Sequence, residues 1–228
     1  MIIWIASYPK SGNTWVRAFL ASMLFKKKDG TSFGDLIKIN IYPRRTLFKK
    51  FTNKFNDINE LSKFWIKTQK EINKDKQVRF LKTHHATCKI NGNNFTNIEN
   101  TLGRIYVVRD PRNIVTSYKY HFSLKTIEEA KNVLFNKNQI IGHQENSRDI
   151  TNFNDNKVCT FISSWADHYN SWKLNWGKNL LIKYENLISN PEKEFRKIKN
   201  YIEKLSNTKI DETKFISSIN DNSFENLK

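Results

Sequence analysis

A short apolar run, Ile2-Ile3-Trp4-Ile5-Ala6, gives way to the polar stretch Tyr8 to Asn13 and then to a second apolar segment, Ala18 to Phe25. The first run reads as a buried strand and the second as a helix. Similar β-rich runs predict strands over Val78 to Thr83, Arg104 to Val108 and Leu180 to Tyr184. Between them lie longer helical patterns. Asp110-Pro111 and Asn190-Pro191-Glu192 each offer a capping side chain followed by Pro at the first helical position, predicting helices over Pro111 to Phe122 and Pro191 to Leu205. In the second, Phe195, Ile198, Ile202 and Leu205 recur on one face. Leu61, Phe64, Trp65, Thr68 and Ile72 predict a helix after Asp57, and the stripe Phe161, Trp165, Tyr169, Trp172 and Trp176 predicts one from about Cys159 to Trp176. Both stripes are read as core packing. Strands alternating with helices point to an α/β fold with a central, mostly parallel sheet flanked by helices.

With 228 residues, 38% of them hydrophobic and 13% aromatic, the chain can bury a full core, and residues 1–228 are expected to form a single domain. A formal charge of +17 raises the possibility of a polyanion or membrane partner. Lys and Asn are spread through every kind of segment, however, which suits a solvated basic surface. The aromatics that can be placed fall on helical stripes rather than in basic loops, so no nucleic-acid partner is expected. Cys88 and Cys159 form neither a disulfide framework nor a metal quartet, and a reducing compartment is the default. Tyr8 to Asn13 and Arg17 interrupt the apolar stretch from Ile2 to Phe25, which fails as a membrane span or signal segment, so the expected location is the cytoplasm. Two irregular segments, Lys26 to Arg45 and Asn136 to Lys157, are expected near a binding site.

The junction Tyr8-Pro9-Lys10-Ser11-Gly12-Asn13-Thr14-Trp15-Val16 carries the chemistry. A strand, a tight polar loop and a helix N-terminus aim backbone N–H groups at an anion. The Lys precedes the Gly, so the magnesium-binding order Gly-x-x-x-x-Gly-Lys-Ser/Thr is absent, and the cradle suits a metal-free anionic donor. At another strand end, Lys82-Thr83-His84-His85 places two imidazoles where α/β sheets hold their ligands. A neutral imidazole can take a proton near neutral pH, and no third ligand is spaced to complete a metal site. Arg109 ends a third strand, and Ser117 lies eight residues on, two turns into the helix after Asp110. A guanidinium fork suits phosphate.

Tyr8 to Trp15 resembles the phosphosulfate-binding loop of the cytosolic-type sulfotransferases, which typically read Tyr-Pro-Lys-Ser-Gly-Thr-Thr-Trp; Asn13 replaces the first Thr. The resemblance implies a P-loop-like sulfotransferase architecture and a donor, 3′-phosphoadenosine 5′-phosphosulfate, whose product is 3′-phosphoadenosine 5′-phosphate. It implies that Lys10 contacts the transferring group, that Ser11, Gly12, Asn13 and Thr14 cradle the 5′-phosphate, and that Trp15 stacks on adenine. By the same resemblance His84 is the catalytic base with Lys82 as helper, and Arg109 with Ser117 binds the 3′-phosphate. Tyr184 is expected to contact adenine, with Ser223 and Phe224 bordering it. His85 is expected to be scaffold or an acceptor contact. Asp110 stands where the family usually has Asn, and is read as a helix cap.

The implied reaction moves a sulfuryl group to a hydroxyl or amine of a small-molecule or sugar acceptor. Family members continue to an Arg-Lys-Gly loop over the 3′-phosphate, whereas this sequence ends at Leu227-Lys228; it is expected to be a fragment or to work without that clamp. Two other readings stay open: a magnesium-dependent phosphotransferase with Asp110 as metal ligand, and a non-enzymatic polyanion-binding module. Neither the acceptor's identity nor the oligomeric state is legible in the sequence.

Overall fold

The computed structural model describes residues 1–26, 38–142, 158–173 and 176–223. In chain order the strands are β1 (Ile2–Ser7), β2 (Asn40–Ile41), β3 (Arg79–Thr83), β4 (Lys89–Ile90), β5 (Asn93–Asn94), β6 (Thr101–Val108), β7 (Ile140–Ile141), β8 (Thr160–Phe161) and β9 (Asn179–Lys183). The helices are α1 (Asn13–Phe25), α2 (Arg45–Phe48), α3 (Ile58–Ser62), α4 (Trp65–Ile72), α5 (Pro111–His121), α6 (Ile127–Phe135), α7 (Trp165–Trp172), α8 (Tyr184–Ser189), α9 (Pro191–Ser206) and α10 (Glu212–Asp221).

Five strands make the central sheet in the order β2-β3-β1-β6-β9. Every neighbouring pair is parallel, with Ile5 opposite Lys82 on one side and Ile105 on the other. The chain leaves β1 toward β3 and later crosses back to β6, so the carboxyl end of β1 is a topological switch point where such sheets open a crevice. All six β1 residues are buried, which is why its sequence shows no alternation.

Apolar side chains fill both faces. On one, Phe19 stacks on Phe195 at 4.0 Å between ring centres and meets Phe215 edge-on. On the other, Trp4, Tyr42, Trp65, Phe95 and Trp172 interlock. Helix α9 buries Phe195, Ile198, Ile202 and Leu205 as the sequence predicts. Each such side chain contributes roughly 1.5–3 kcal/mol, whereas an exposed ion pair such as Arg196–Glu192 is screened by solvent and adds little. Packing, not surface charge, holds this helix.

The caps at Asp110 and Asn190 form as expected, accepting from the N–H of Arg112 and Lys193. Other expectations need correction. The helix after Asp57 is broken into α3 and α4 at Lys63-Phe64. The aromatic stripe is helical only from Trp165 to Trp172. Ser164 caps α7 by accepting from the Asp167 N–H, so Phe161 is left outside, paired with Ile140 in an antiparallel ribbon. Trp176 lies beyond the helix end, with the Arg104 guanidinium 4.4 Å from its ring. Strand β9 stops at Lys183, making Tyr184 the first residue of α8. Of the two irregular segments, residues 27–37 and 143–157 lie outside the described residues, as does Phe224. Cys88 and Cys159 are free thiols. Among the described residues no helix is long and apolar enough to cross a membrane.

Candidate active site at the carboxyl edge of the sheet

The loop after β1 turns through two left-handed positions, Lys10 at φ 66° and Gly12 at φ 90°. Such a turn gathers successive backbone N–H groups at the start of α1, where the first helical N–H groups have no intrahelical acceptor. Gly12 is required twice over: a Cβ there would meet Tyr184 Cδ2 at 2.4 Å, and its φ suits glycine alone. The Ser11 hydroxyl and the Asn13 Oδ1 are buried without a hydrogen-bond partner among the described residues. The Ser11 hydroxyl, an orphaned donor on an N–H-lined turn, fits an anion. Thr14 is exposed at the rim.

Arg109 leaves the end of β6 and donates through Nη1 to the Lys10 carbonyl at 3.0 Å. Its guanidinium lies 4.4 Å over the Tyr184 ring, the same ring that seals Gly12. Lys10, Gly12, Arg109 and Tyr184 therefore share one rim of the crevice. Burial first, and the nearby Arg109 charge second, pull the Lys10 ammonium below its ordinary value. Trp15 is 5% exposed, donates its indole N–H to the Asn222 carbonyl at 2.7 Å, and packs edge-on against Phe195. Ser223, next along, is thereby brought beside the base of α1. Ser117 sits half-buried on α5, and no hydrogen bond joins it to Arg109 among the described residues.

His84 follows β3, one strand over. Its Nδ1 lies 2.7 Å from the Ser7 carbonyl oxygen and 3.3 Å from the Ser7 hydroxyl, which itself accepts from Asn13 Nδ2. A carbonyl only accepts, so Nδ1 carries the proton and Nε2 presents its lone pair. Burial, followed by the Lys82 charge, holds the His84 imidazole well below its ordinary value. Lys82 is itself pushed down to about 7, by burial and then by Arg17. His85 points the other way, stacked on Phe95 at 4.2 Å with Trp65 at its edge; it is scaffold.

Three groups escaped the reading of the sequence. Ser7 is the polar residue that closes the apolar run of β1, and that break is its signal. Tyr106 looks like one more core residue of β6. His168 lies on the buried side of α7, three residues after Trp165 and four before Trp172, and a polar residue on an aromatic stripe is the clue. Asp110 is occupied as a cap and by Arg112, whose Nε approaches its carboxylate at 3.0 Å and 3.1 Å. Among the described residues no three His, Cys, Asp or Glu side chains gather as a metal cluster.

The chain is 27% identical to sulfotransferase 1B1 of the dog over 214 residues, which cover 90% of this chain and 60% of that protein. In fold it is similar to mouse sulfotransferase SULT7A1 complexed with PAP, with a TM-score of 0.57, 17% identity, and coverage of 99% of this chain and 66% of that one. It is also similar to retinol dehydratase in complex with androsterone and inactive cofactor PAP, at a TM-score of 0.56, 13% identity, and coverage of 100% and 65%. The chain thus spans about 60% to 66% of the length of these relatives. The sulfotransferase domain matches residues 2–228, and the chain belongs to that family.

Proposed function

We propose that residues 1–228 form one catalytic unit that transfers a sulfuryl group from 3′-phosphoadenosine 5′-phosphosulfate to a hydroxyl or amine of a small-molecule or sugar acceptor. The observation that carries this reading is the shared rim on which Arg109 bonds the Lys10 carbonyl beside an N–H-lined turn.

Ser11, Gly12, Asn13 and Thr14 would hold the 5′-phosphate through backbone N–H groups and the orphaned Ser11 hydroxyl, which can donate. Arg109, with Ser117, would hold the 3′-phosphate, and Trp15, Tyr184, Ser223 and Phe224 would border the adenine. Tyr184 supports this by lying against both Gly12 and Arg109. When bound, the donor supplies the sulfuryl group and leaves as a bisphosphate anion. Lys10 offsets the charge that grows at the departing phosphate, an electrostatic contribution of several kcal/mol in such sites. His84 Nε2, free to accept, takes the acceptor's proton while Ser7 holds Nδ1. A depressed proton affinity keeps this imidazole unprotonated at neutral pH, and an anion bound beside it would raise that affinity toward the range useful for a base. Lys82 supplies a second cation whose charge the same anion would restore.

The test is thermal denaturation with 3′-phosphoadenosine 5′-phosphate, AMP and ATP, each with and without magnesium. Binding to the native state raises apparent stability by mass action. The bisphosphate is expected to raise Tm without metal and well above AMP. A rise confined to ATP with magnesium would replace the reading with phosphotransfer. Equal, steeply salt-dependent rises for all polyanions would replace it with nonspecific binding.

A further inference from the structure

The segment that carries His84 has no regular structure after β3 ends, yet its backbone is tied at consecutive residues to a single helix. From α7, His168 Nε2 lies 3.1 Å from the His84 carbonyl, and Trp172 Nε1 donates to the His85 carbonyl at 3.0 Å. Ser171 Oγ accepts the Thr87 N–H at 3.0 Å and donates to the His168 carbonyl at 2.8 Å. His168 and Trp172 are fully buried. The partners fix the protonation of His168. Because the His84 carbonyl can only accept, Nε2 carries the proton and Nδ1 must accept, which it does from the Tyr106 hydroxyl at 2.9 Å. The His168 ring also meets Tyr8 edge-on at 5.4 Å.

We infer that His168 is a positioning residue: it fixes the His84 backbone relative to the Tyr8 turn, so that His84 keeps its Nδ1–H bond to Ser7 and directs the Nε2 lone pair at the acceptor. The inference rests on the sulfotransferase reading for its kinetic consequence but not for its structural one. A relay from the Tyr106 hydroxyl through His168 to the His84 carbonyl, with the Tyr8 ring packed edge-on against the same imidazole, ties the start of the cradle loop and the base together. Tyr8, Tyr106 and His168 are buried, so no water replaces a lost link among them, and a base displaced by about 1 Å can cost on the order of 100-fold in rate.

The glutamine amide nitrogen occupies nearly the place of imidazole Nε2, whereas that of asparagine falls short of the His84 carbonyl. His168→Gln, His168→Asn and His168→Leu in the full chain therefore separate the hydrogen bond from bulk. The expected result is a kcat loss of about 10- to 100-fold for the Asn and Leu variants and recovery to within about fivefold for Gln. Affinity for 3′-phosphoadenosine 5′-phosphate should stay within about threefold in all of them, since the phosphate contacts lie on other elements. Independently of turnover, ¹⁵N shifts of the His84 ring should report Nδ1–H in the wild type and the Gln variant and a mixed tautomer in the Asn and Leu variants. If Leu fails to fold, the Gln and Asn pair decides. Wild-type kcat and an unchanged His84 tautomer in the Asn variant would overturn the inference, as would parallel losses of kcat and bisphosphate binding in the Gln variant. Absence of sulfuryl transfer by the wild type would count against the proposed function alone, because the ring shifts still read the positioning.

Discussion

Arg109 Nη1 donates to the Lys10 carbonyl at 3.0 Å, although the two residues stand 99 positions apart. The bond braces a left-handed lysine, since Lys10 adopts φ 66° with no glycine's tolerance for it. It also places a guanidinium at the cradle's lip with donors to spare, since a guanidinium has five N–H groups.

Replacing that guanidinium should therefore act on one phosphate more than the other. Arg109→Ala is expected to weaken 3′-phosphoadenosine 5′-phosphate by about 10- to 100-fold, the worth of one or two charged hydrogen bonds. AMP, which lacks the 3′-phosphate, should lose no more than about threefold through the relaxed Lys10 turn. Calorimetric titration of both nucleotides measures the ratio, and equal losses would exclude a 3′-phosphate role for Arg109.

Gly12→Ala tests the cradle's geometry. An added Cβ would collide with the Tyr184 ring at 2.4 Å and hold alanine at φ 90°. Strain at such a φ costs about 1–2 kcal/mol, and overpacking adds roughly 1–3 kcal/mol. The variant should melt several degrees lower and bind the bisphosphate poorly. Adding Tyr184→Ala should relieve the collision but not the backbone strain, so the double variant recovers only part of the loss. A strictly additive pair in urea melts would show that the two residues do not touch.

How much of this was legible beforehand follows from the range of the interactions. The strands, the Asp110 and Asn190 caps and the apolar face of α9 are local, set by residues within a turn or two of one another. The positions of Lys10, His84 and Arg109 at strand ends were legible too, because a parallel sheet gathers its carboxyl ends on one edge. The relay through Tyr106 and His168 was not, since it joins β6, α7 and the loop after β3 by contacts 62 and 84 residues apart. The aromatic stripe misled about helix length for a related reason. Phe161 and Trp176 keep the helical spacing, but Ser164 begins the helix after one of them and Lys173 ends it before the other.

The buried histidines predict an acid-sensitive fold. His85 and His168 are pushed down to about 3 by burial, and His84 is held low for the same reason with Lys82 adding to it. An unfolded histidine takes its proton near ~6.5. Below that value the unfolded chain binds protons that the native chain refuses, so stability is level above pH ~6.5 and falls as pH drops toward about 3, by up to about 1.4 kcal/mol per pH unit for each histidine. Urea denaturation at pH 7.5, 6, 5 and 4 should show midpoints falling steadily over the last three. A flat series would mean these rings are hydrated and titrate normally.

Lys82 gives the opposite limb, in binding rather than folding. Burial, with Arg17 adding to it, brings its ammonium down to about 7, so the free protein sheds this proton as pH rises through neutrality. Only the charged form attracts a phosphate or sulfate, and a bound anion raises the proton affinity in return. Binding of 3′-phosphoadenosine 5′-phosphate above pH 7 should therefore take up close to one proton and weaken by nearly tenfold per pH unit. The ligand's own phosphate protons, with pKa near ~6, are already gone in that range and do not confuse the slope. Calorimetry at pH 8 in buffers of different ionisation enthalpy counts the proton directly. Lys82→Arg keeps its charge across the range, so its affinity should run level from pH 7 to about 9 with no proton uptake. The same slope in both proteins would assign the titration to another group and remove Lys82 from the anion site.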